Sequence, residues 1–378
     1  MPRLAICFEF ATLSGGERSM LAMLDAPPPP GWDVVLLLPP HGRLFEAAAS
    51  QGLAVHGWDL REEGTKPPPE WAAESLRKAL GEVAADHVHA NSLSLARTTG
   101  RLARSPGAPT ATGHLRDMMR LSAAARRDLA ANAALVAVSP AVRDYHVAEG
   151  LPADRVVVVP NGIAPFEQTR PPGWLRRELG LPADRPIVAT IGQIGLRKGH
   201  DTAAAAIRRL AERGRPITWL VVGERFSQKA ESVAFDEALD AASGGAIVRS
   251  GYRDDVLELL AEVDLLLHPA RQEPLGRVLL EAREVSTPIV ACDVGGNRFA
   301  VPDAAFVPPD APVAMAEAID AALAAQSRGS ARESASRARG AHRSRGSEAF
   351  PLKTVREQTW NLIIAGYAAG PQAADSPP

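Results

Sequence analysis

The chain has 378 residues, 46% of them hydrophobic and 23% charged, with a formal net charge of −2. That length exceeds one ordinary hydrophobic core and points to two or three domains. The near-neutral balance excludes a protein that binds nucleic acid or another polyanion through its overall field, so local clusters must carry any electrostatic role.

The N-terminal apolar run, Leu4–Phe8, is closed by Glu9 and reads as a first strand. It is too short for the hydrophobic region of a secretory leader. No stretch approaches the roughly 20 apolar residues of a membrane helix. Two cysteines, Cys7 and Cys292, lie far apart in apolar runs, without a Cys-x-x-Cys or Cys/His cluster. They read as reduced, buried thiols, which fits a reducing compartment and gives no structural metal. The expectation is a cytoplasmic protein, soluble or peripheral at the inner membrane face.

After the first strand comes Gly15-Gly16. A backbone without Cβ atoms there admits either an ordinary tight turn or the close approach of a phosphate. Further short Val/Leu/Ile runs follow at Asp33–Leu38, His87–His89, Thr110–Thr112, Leu135–Val138 and Val156–Val159. His87 and His89 flank one of these strands and read as structural. His114 follows the strand Thr110–Thr112; taken alone it is a hydrogen-bonded structural histidine. Arg97, Arg101, Arg104, Arg116, Arg120, Arg126 and Arg127 form a basic stretch with Asp117 as the acid within it. A solvated helix face, an anionic acceptor or an anionic membrane surface would each account for it.

The alternation breaks at Pro160-Asn161-Gly162 and through Pro165, Pro171, Pro172 and Pro182, which marks an inter-domain boundary. The second half repeats the pattern with strands at Ile187–Ile191, Trp219–Val222, Ile247–Arg249, Leu265–Leu267 and Ile289–Ala291. Continuous apolar strands between helical segments indicate parallel sheets covered on both faces. Neither half carries Gly-x-Gly-x-x-Gly after its first strand, which counts against a dinucleotide oxidoreductase. Residues 326–348 are low-complexity Ala/Ser/Arg/Gly with six arginines, read as solvated surface or mobile loop, with an anionic contact as the alternative. The segment Phe350–Tyr367 reads as an amphipathic helix and residues 370–378 as a disordered tail.

The most informative stretch is Asp264-Leu-Leu-Leu-His268-Pro269, then Glu273-Pro-Leu275-Gly276-Arg277-Val-Leu-Leu-Glu281. A strand ends near His268 and a helix is expected from about Gly276. Its unpaired first N–H groups and the macrodipole favour an anion there. Were all eight steps from Glu273 to Glu281 helical, the two carboxylates would sit ~80° and ~12 Å apart, roughly the span from a sugar to a nucleotide ribose. A carboxylate accepts two hydroxyl hydrogen bonds well, so Glu281 suits vicinal ribose hydroxyls and Glu273 the sugar.

With Ser286-Thr287-Pro288-Ile289-Val290-Ala291 and Gly295-Gly296 following, this stretch resembles the retaining glycosyltransferases of the GT-B fold, family 4. The likeness extends through Gly15-Gly16-Glu17-Arg18, Val138-Ser139, Val159-Pro160-Asn161-Gly162 and Gly192 to Gly199. It implies an α/β fold of two Rossmann-like domains facing each other across a cleft. These would be an acceptor-binding domain at 1–165, joined by a C-terminal helix at 350–369, and a nucleotide-sugar domain at 166–349, hinged at Pro160–Gly162. It implies retaining transfer, in hexosyltransferase manner, from a nucleoside diphosphate sugar to an acceptor hydroxyl, with no metal and no cofactor beyond the donor.

By the same resemblance His114, Lys198 and Glu273 are the catalytic candidates. Gly15, Gly16, Gln193, Arg197, Lys198, Leu275, Gly276, Arg277, Glu281, Tyr252 and Arg253 are the donor-binding ones. Lys198 matches the family's phosphate lysine. Gln193 stands where the family has an arginine, and Arg197 is the candidate replacement. Asn297-Arg298-Phe299 also replaces an acid often found after Gly-Gly. These departures leave a second reading, a degenerate GT-B protein that binds nucleotide or sugar without transfer. A sugar-nucleotide 2-epimerase on the same architecture has no reason to carry the Glu-x7-Glu pattern. The acceptor is a saccharide, a lipid-linked or a small molecule, and no nucleic acid is expected.

Overall fold

The computed structural model describes residues 1–60, 67–225, 227–333 and 349–369. The expected tail at 370–378 and most of the low-complexity stretch lie outside them. The chain divides into two compact units, Met1–Gly162 with the chain from Phe350 onward, and Ile163–Ala349.

The first unit is built on strands β1 (Arg3–Cys7), β2 (Asp33–Leu38), β3 (Val55–Gly57), β4 (His87–Ala90), β5 (Thr110–Leu115), β6 (Ala134–Ala137) and β7 (Val156–Val158). Their spatial order is β3-β2-β1-β4-β5-β6-β7, all parallel. The order reverses direction between β1 and β4, and the crevice outside the carboxyl ends at such a point is where doubly wound sheets bind ligands. Helices α1 (Gly15–Leu24), α2 (Gly42–Ser50), α3 (Pro69–Glu82), α4 (Leu93–Ala103), α5 (Ala123–Ala130) and α6 (Pro140–Ala148) connect the strands. Three of them begin on serine caps that accept a backbone N–H: Ser92 from Leu95, Ser122 from Ala125 and Ser139 from Val142. Pro140 then occupies the first helical position, where its missing N–H costs nothing.

The second unit contains β8 (Ile187–Ile191), β9 (Thr218–Val222), β10 (Ile247–Gly251), β11 (Leu265–His268), β12 (Ile289–Cys292) and β13 (Ala305–Val307). Their order is β10-β9-β8-β11-β12-β13, again parallel, with the reversal between β8 and β11. Its helices are α7 (Trp174–Leu179), α8 (His200–Glu212), α9 (Ala230–Ala242), α10 (Val256–Glu262), α11 (Arg277–Glu284), α12 (Asn297–Ala300) and α13 (Pro312–Glu333). Helix α8 buries Ala203, Ala206, Ile207 and Leu210, a three–four spacing that lays one stripe on the sheet. That stripe packs with Val188, Trp219, Leu265, Leu267, Val290 and Ile319 in one core cluster.

The last helix, α14 (Leu352–Ala368), belongs to the first unit. Trp360 and Ile363 join the core formed by Leu4, Ile6 and Met20. Arg356 donates to the carbonyls of Met23 (2.9 Å) and Ala22 (3.2 Å), satisfying open acceptors at the end of α1. Cys7 and Cys292 are free and buried; burial pushes the Cys292 thiol up to about 12 and Cys7 higher, so neither is a nucleophile at neutral pH. Among the described residues no helix is long and apolar enough to cross a membrane.

The structure departs from the sequence expectation in three places. Strands β3 and β13, three residues each at sheet edges, are too short to show a strand period. Strand β5 runs on through Leu115, which puts His114 inside the strand instead of after it. Helix α11 begins at Arg277, so Glu273 sits in the preceding loop and the eight-step helical estimate does not apply to it.

Candidate active site

In the second unit, four loops leave the carboxyl ends of β8, β9, β11 and β12 and pack on one another at the sheet's reversal point. Two glycines make this packing achievable. At Gly199 (φ +70°) a Cβ would lie 1.9 Å from the Pro269 carbonyl oxygen, and at Gly295 (φ +52°) 1.9 Å from that of Glu273. Both the left-handed backbone and the close approach require glycine. The Gly296 N–H donates to the Glu273 carbonyl at 2.9 Å, tying the β12 loop to the β11 loop.

Glu273 is held at the centre. Its Oε2 accepts from Lys198 Nζ at 2.5 Å and from His268 Nε2 at 3.1 Å, and its Oε1 accepts the Gly276 N–H at 3.1 Å. The side chains of Glu273 and His268 are 9% and 3% exposed and that of Lys198 18%. Burial alone would raise the Glu273 carboxyl; the Lys198 charge and the His268 hydrogen bond outweigh it and hold the group well below the usual carboxylate range. Burial pushes His268 down, with the Lys198 and Arg197 charges adding to it and Glu273 opposing. His268 is therefore a neutral ring that donates from Nε2. Sequence reasoning placed His268 at a strand end but gave it no role. Its signal was the spacing of five residues from a glutamate across a Pro-containing loop.

Glu281 is buried one turn into α11 and accepts from Arg277 Nε at 2.7 Å. Leu275 is buried beside the Gly276 cap. Gln193 and Arg197 are exposed on the β8 loop, and the Arg197 N-terminal neighbour, Leu196, and Arg197 itself give their carbonyls to Arg271. Tyr252 is half-buried after β10. Arg253 binds both Asp255 oxygens (2.7 and 2.6 Å) and Glu178 (2.5 Å) and lies over the Trp174 ring. These partners commit its guanidinium to bracing the loop. Asn297 is fully buried and donates to the Cys292 carbonyl at 2.9 Å, so the position after Gly295-Gly296 is a structural brace.

In the first unit, α1 starts at Gly15 on a capping box between Ser14 and Glu17. Gly16 lies against Arg116: a Cβ there would come within 3.0 Å of Arg116 Cδ. Arg116 donates to the carbonyl (3.1 Å) and the side-chain oxygen (2.9 Å) of Asn91 and to Asn161 Oδ1 (2.9 Å). Arg116 and Asn91 were not singled out from sequence as site residues, because only the fold brings the ends of β4 and β5 beside the start of α1. His114 is 5% exposed, and its Nδ1 is 2.7 Å from His89 Nε2. Burial, with Arg116 and His89, drives its pKa well below the ordinary value. Elsewhere on the basic stretch, Arg101 (3.2 Å) and Arg104 (3.1 Å) share Asp128. That acid lies just past the stretch read from sequence, and part of the positive charge is neutralised within the fold.

Two parallel α/β sheets of this connectivity, each with its polar loops at a reversal point, define the GT-B class. Residues 13–165 match the model for Glycosyltransferase Family 4 and residues 175–341 that for Glycosyl transferases group 1. The chain belongs to this glycosyltransferase family. It is 33% identical over 151 residues to the 2-deoxystreptamine glucosyltransferase of Streptomyces kanamyceticus, covering 38% of each chain. It is 31% identical over 253 residues to the D-inositol 3-phosphate glycosyltransferase of Xylanimonas cellulosilytica, covering 61% of this chain and 58% of the relative. The chain thus aligns with between 38% and 58% of these relatives' lengths. In fold, HepE of Anabaena, solved in complex with UDP-glucose, superposes with a TM-score of 0.79 at 18% identity over 97% of this chain and all of that one. WaaG, a glycosyltransferase involved in lipopolysaccharide biosynthesis, superposes with a TM-score of 0.68 at 20% identity over 95% of this chain and 99% of its own.

Proposed function

We propose that the protein is a cytoplasmic, retaining glycosyltransferase that moves a sugar from a nucleoside diphosphate donor to an acceptor hydroxyl without a metal. The observation that carries this reading is the Lys198–Glu273 pair at the reversal point of the second sheet, next to the start of α11. Breaking the anomeric bond leaves positive charge on the sugar and negative charge on the departing phosphate. Fixed donors and charges aimed at the phosphate lower that barrier most. Lys198 supplies one such charge and the first N–H groups of α11 supply dipoles. Arg197 is near enough for its charge to push down His268, which supports its standing in for the arginine replaced by Gln193. Gln193 itself adds a neutral donor.

Glu273 is the group that orients the sugar. Three donors already occupy its carboxylate, two on Oε2 and one on Oε1, which leaves one Oε1 lone pair to accept a sugar hydroxyl and makes the group a poor nucleophile. Glu281 takes the ribose hydroxyls, exchanging its Arg277 contact for them, with Leu275 and Gly276 shaping the loop between. Tyr252 suits the base better than Arg253, whose hydrogen bonds are committed. In the first unit, Gly15 and Gly16 at the head of α1 are the candidates for diphosphate contact and His114 the candidate for sugar contact, as the family resemblance implies. The relatives named for glycosyl transfer and the neighbour solved with UDP-glucose support this donor class. Pairing of Arg101 and Arg104 with Asp128 favours a saccharide or small acceptor over a lipid-linked one at an anionic membrane surface.

A second reading, nucleotide or sugar binding without transfer, is favoured by Gln193 and by the buried Asn297. Donor hydrolysis measured across UDP-, GDP- and ADP-sugars separates the two. Release of free sugar from at least one donor supports the transferase. Thermal stabilisation by a nucleotide with no turnover of any donor supports the binding protein.

A further inference from the structure

A row of five polar side chains crosses the buried face of the first sheet. Period-two alternation puts His87 and His89 of β4, and Thr110, Thr112 and His114 of β5, on one face. The parallel register sets His87 beside Thr110 and His89 beside Thr112. The contacts form a continuous chain. His114 Nδ1 meets His89 Nε2 at 2.7 Å, and His89 Nδ1 meets Thr112 Oγ1 at 2.9 Å. Thr112 Oγ1 meets His87 Nε2 at 3.0 Å, and His87 Nδ1 meets Thr110 Oγ1 at 2.5 Å. His87, His89 and Thr112 are fully buried. Helix α14 covers the row, with Gly366 so close that a Cβ there would lie 2.4 Å from Thr112 Cγ2 and the Tyr367 ring edge-on to His87.

Counting protons constrains this chain. A neutral imidazole has one N–H and one bare nitrogen. Burial lowers His87 and His89 to about 3, with His87 and Arg116 adding to the effect on His89, and His114 is also driven down, so all three are neutral at physiological pH. Between His89 and His114 one nitrogen donates and the other accepts. The buried Thr112 hydroxyl has these two rings as its partners, so it donates to one and accepts from the other. Only two arrangements satisfy every link. In one, all three histidines carry the proton on Nδ1, and His114 Nε2 is a bare acceptor. In the other, all three carry it on Nε2, and His114 Nε2 is a donor.

We propose that His89, Thr112 and His87 are positioning residues that fix the ring and tautomer of His114. A concerted shift along this relay then switches His114 Nε2 between accepting from and donating to a sugar hydroxyl without charging it. Each proton moves one hydrogen bond along the chain, the covalent bond to one heteroatom breaking as the next forms; a proton entering at His114 Nε2 from solvent is matched by one leaving Thr110 Oγ1 to solvent, so no ring becomes charged. The half-buried Thr110 hydroxyl is the exit at the far end, releasing its own proton to water as it takes one from His87 Nδ1, and the Arg116 charge next to the row opposes any imidazolium. This inference rests on the reading of His114 as a sugar contact.

The test combines tautomer detection with kinetics on the full chain. In protein labelled with 15N-histidine, long-range 1H–15N correlation spectra at neutral pH should show His87, His89 and His114 neutral and in one common tautomer. Thr112→Val should leave His89 and His114 in mixed tautomers. It should also lower kcat by about 10- to 100-fold, with the donor KM within about twofold, as expected when a reacting group loses its fixed geometry. Thr112→Ser, which keeps the hydroxyl, should restore both readouts. Unlike tautomers, or a protonated ring, in the wild-type chain would overturn the relay itself. A common tautomer that Thr112→Val disturbs with no change in kcat would overturn its role in the reaction, and would locate the fault in the reading of His114.

Discussion

Replacing Lys198 with methionine removes one charge and keeps most of the side-chain volume. Glu273 then retains two donors, His268 Nε2 and the Gly276 N–H, but loses the cation at 2.5 Å that offsets its burial. Breaking one partner of a fully buried ion pair costs about 3–5 kcal/mol. Lys198 is 18% exposed and water can replace part of its contact, so about 2–3 kcal/mol is expected here. For a unit of this size that corresponds to a drop in Tm of roughly 4–10 °C.

The pH dependence gives the sharper signature. In the wild type the Glu273 pKa is depressed, so its stabilising contribution is full above the unfolded value of about 4.3 and is lost as pH falls through the folded one. In Lys198→Met burial is unopposed by the lysine and the folded pKa moves up. The Tm gap between the two proteins should be constant at neutral and alkaline pH and narrow as pH falls through the variant's raised value. Differential scanning fluorimetry from pH 8 to pH 4 measures this. In parallel, loss of a phosphate-neutralising group should cut kcat/KM about 10²- to 10³-fold. A Tm within about 1 °C of wild type at every pH, together with near-wild-type kcat/KM, would refute the account of the pair.

Other expectations follow from the same geometry. Glu281→Ala should raise the donor Kd by about 10- to 100-fold, while Glu281→Gln keeps part of the affinity; calorimetry with the matching nucleoside diphosphate reads this, since a lost hydroxyl acceptor costs about 1.5–3 kcal/mol. Gly295→Ala places a Cβ against the Glu273 carbonyl in a left-handed backbone, so it should lower Tm by several degrees and abolish turnover. Arg197→Ala should lower kcat/KM about 10-fold or more, and Gln193→Arg in that background should recover it; an unaffected Arg197→Ala would remove Arg197 from the site. Turnover should persist unchanged in excess EDTA, and a loss restored by a divalent cation would contradict the metal-free reading.

Much of the architecture was legible because buried parallel strands such as Leu265–Leu267 read as unbroken apolar runs between helical segments. The Glu273–Glu281 stretch was legible because a strand end, a loop and a helix start succeed one another within a short distance. Edge strands Val55–Gly57 and Ala305–Val307 were not, since three residues are too few to carry a period. The partners of the site residues were hidden for another reason. His268 with Glu273, Arg116 with Asn91 and Gly16, and His89 with His114 meet only once the sheet order is known. Asp128 is the instructive case: it falls just beyond the basic stretch, and a reading of that stretch as a uniformly charged face misses the acid that binds Arg101 and Arg104. The His87/His89 and Thr110/Thr112/His114 alternation was present in the sequence as a polar period of two, and its meaning depended on learning that β4 and β5 are neighbours.

The central claim is tested most directly by following the anomeric proton of the transferred sugar by NMR, with purified protein, a nucleoside diphosphate α-sugar and an acceptor alcohol. The account predicts loss of the donor signal, appearance of the free nucleoside diphosphate and a new α-anomeric resonance, all absent with Lys198→Met at the same concentration. A β-linked product would contradict retention. A donor signal unchanged with every nucleotide sugar would contradict the assignment of the Lys198–Glu273 site to glycosyl transfer.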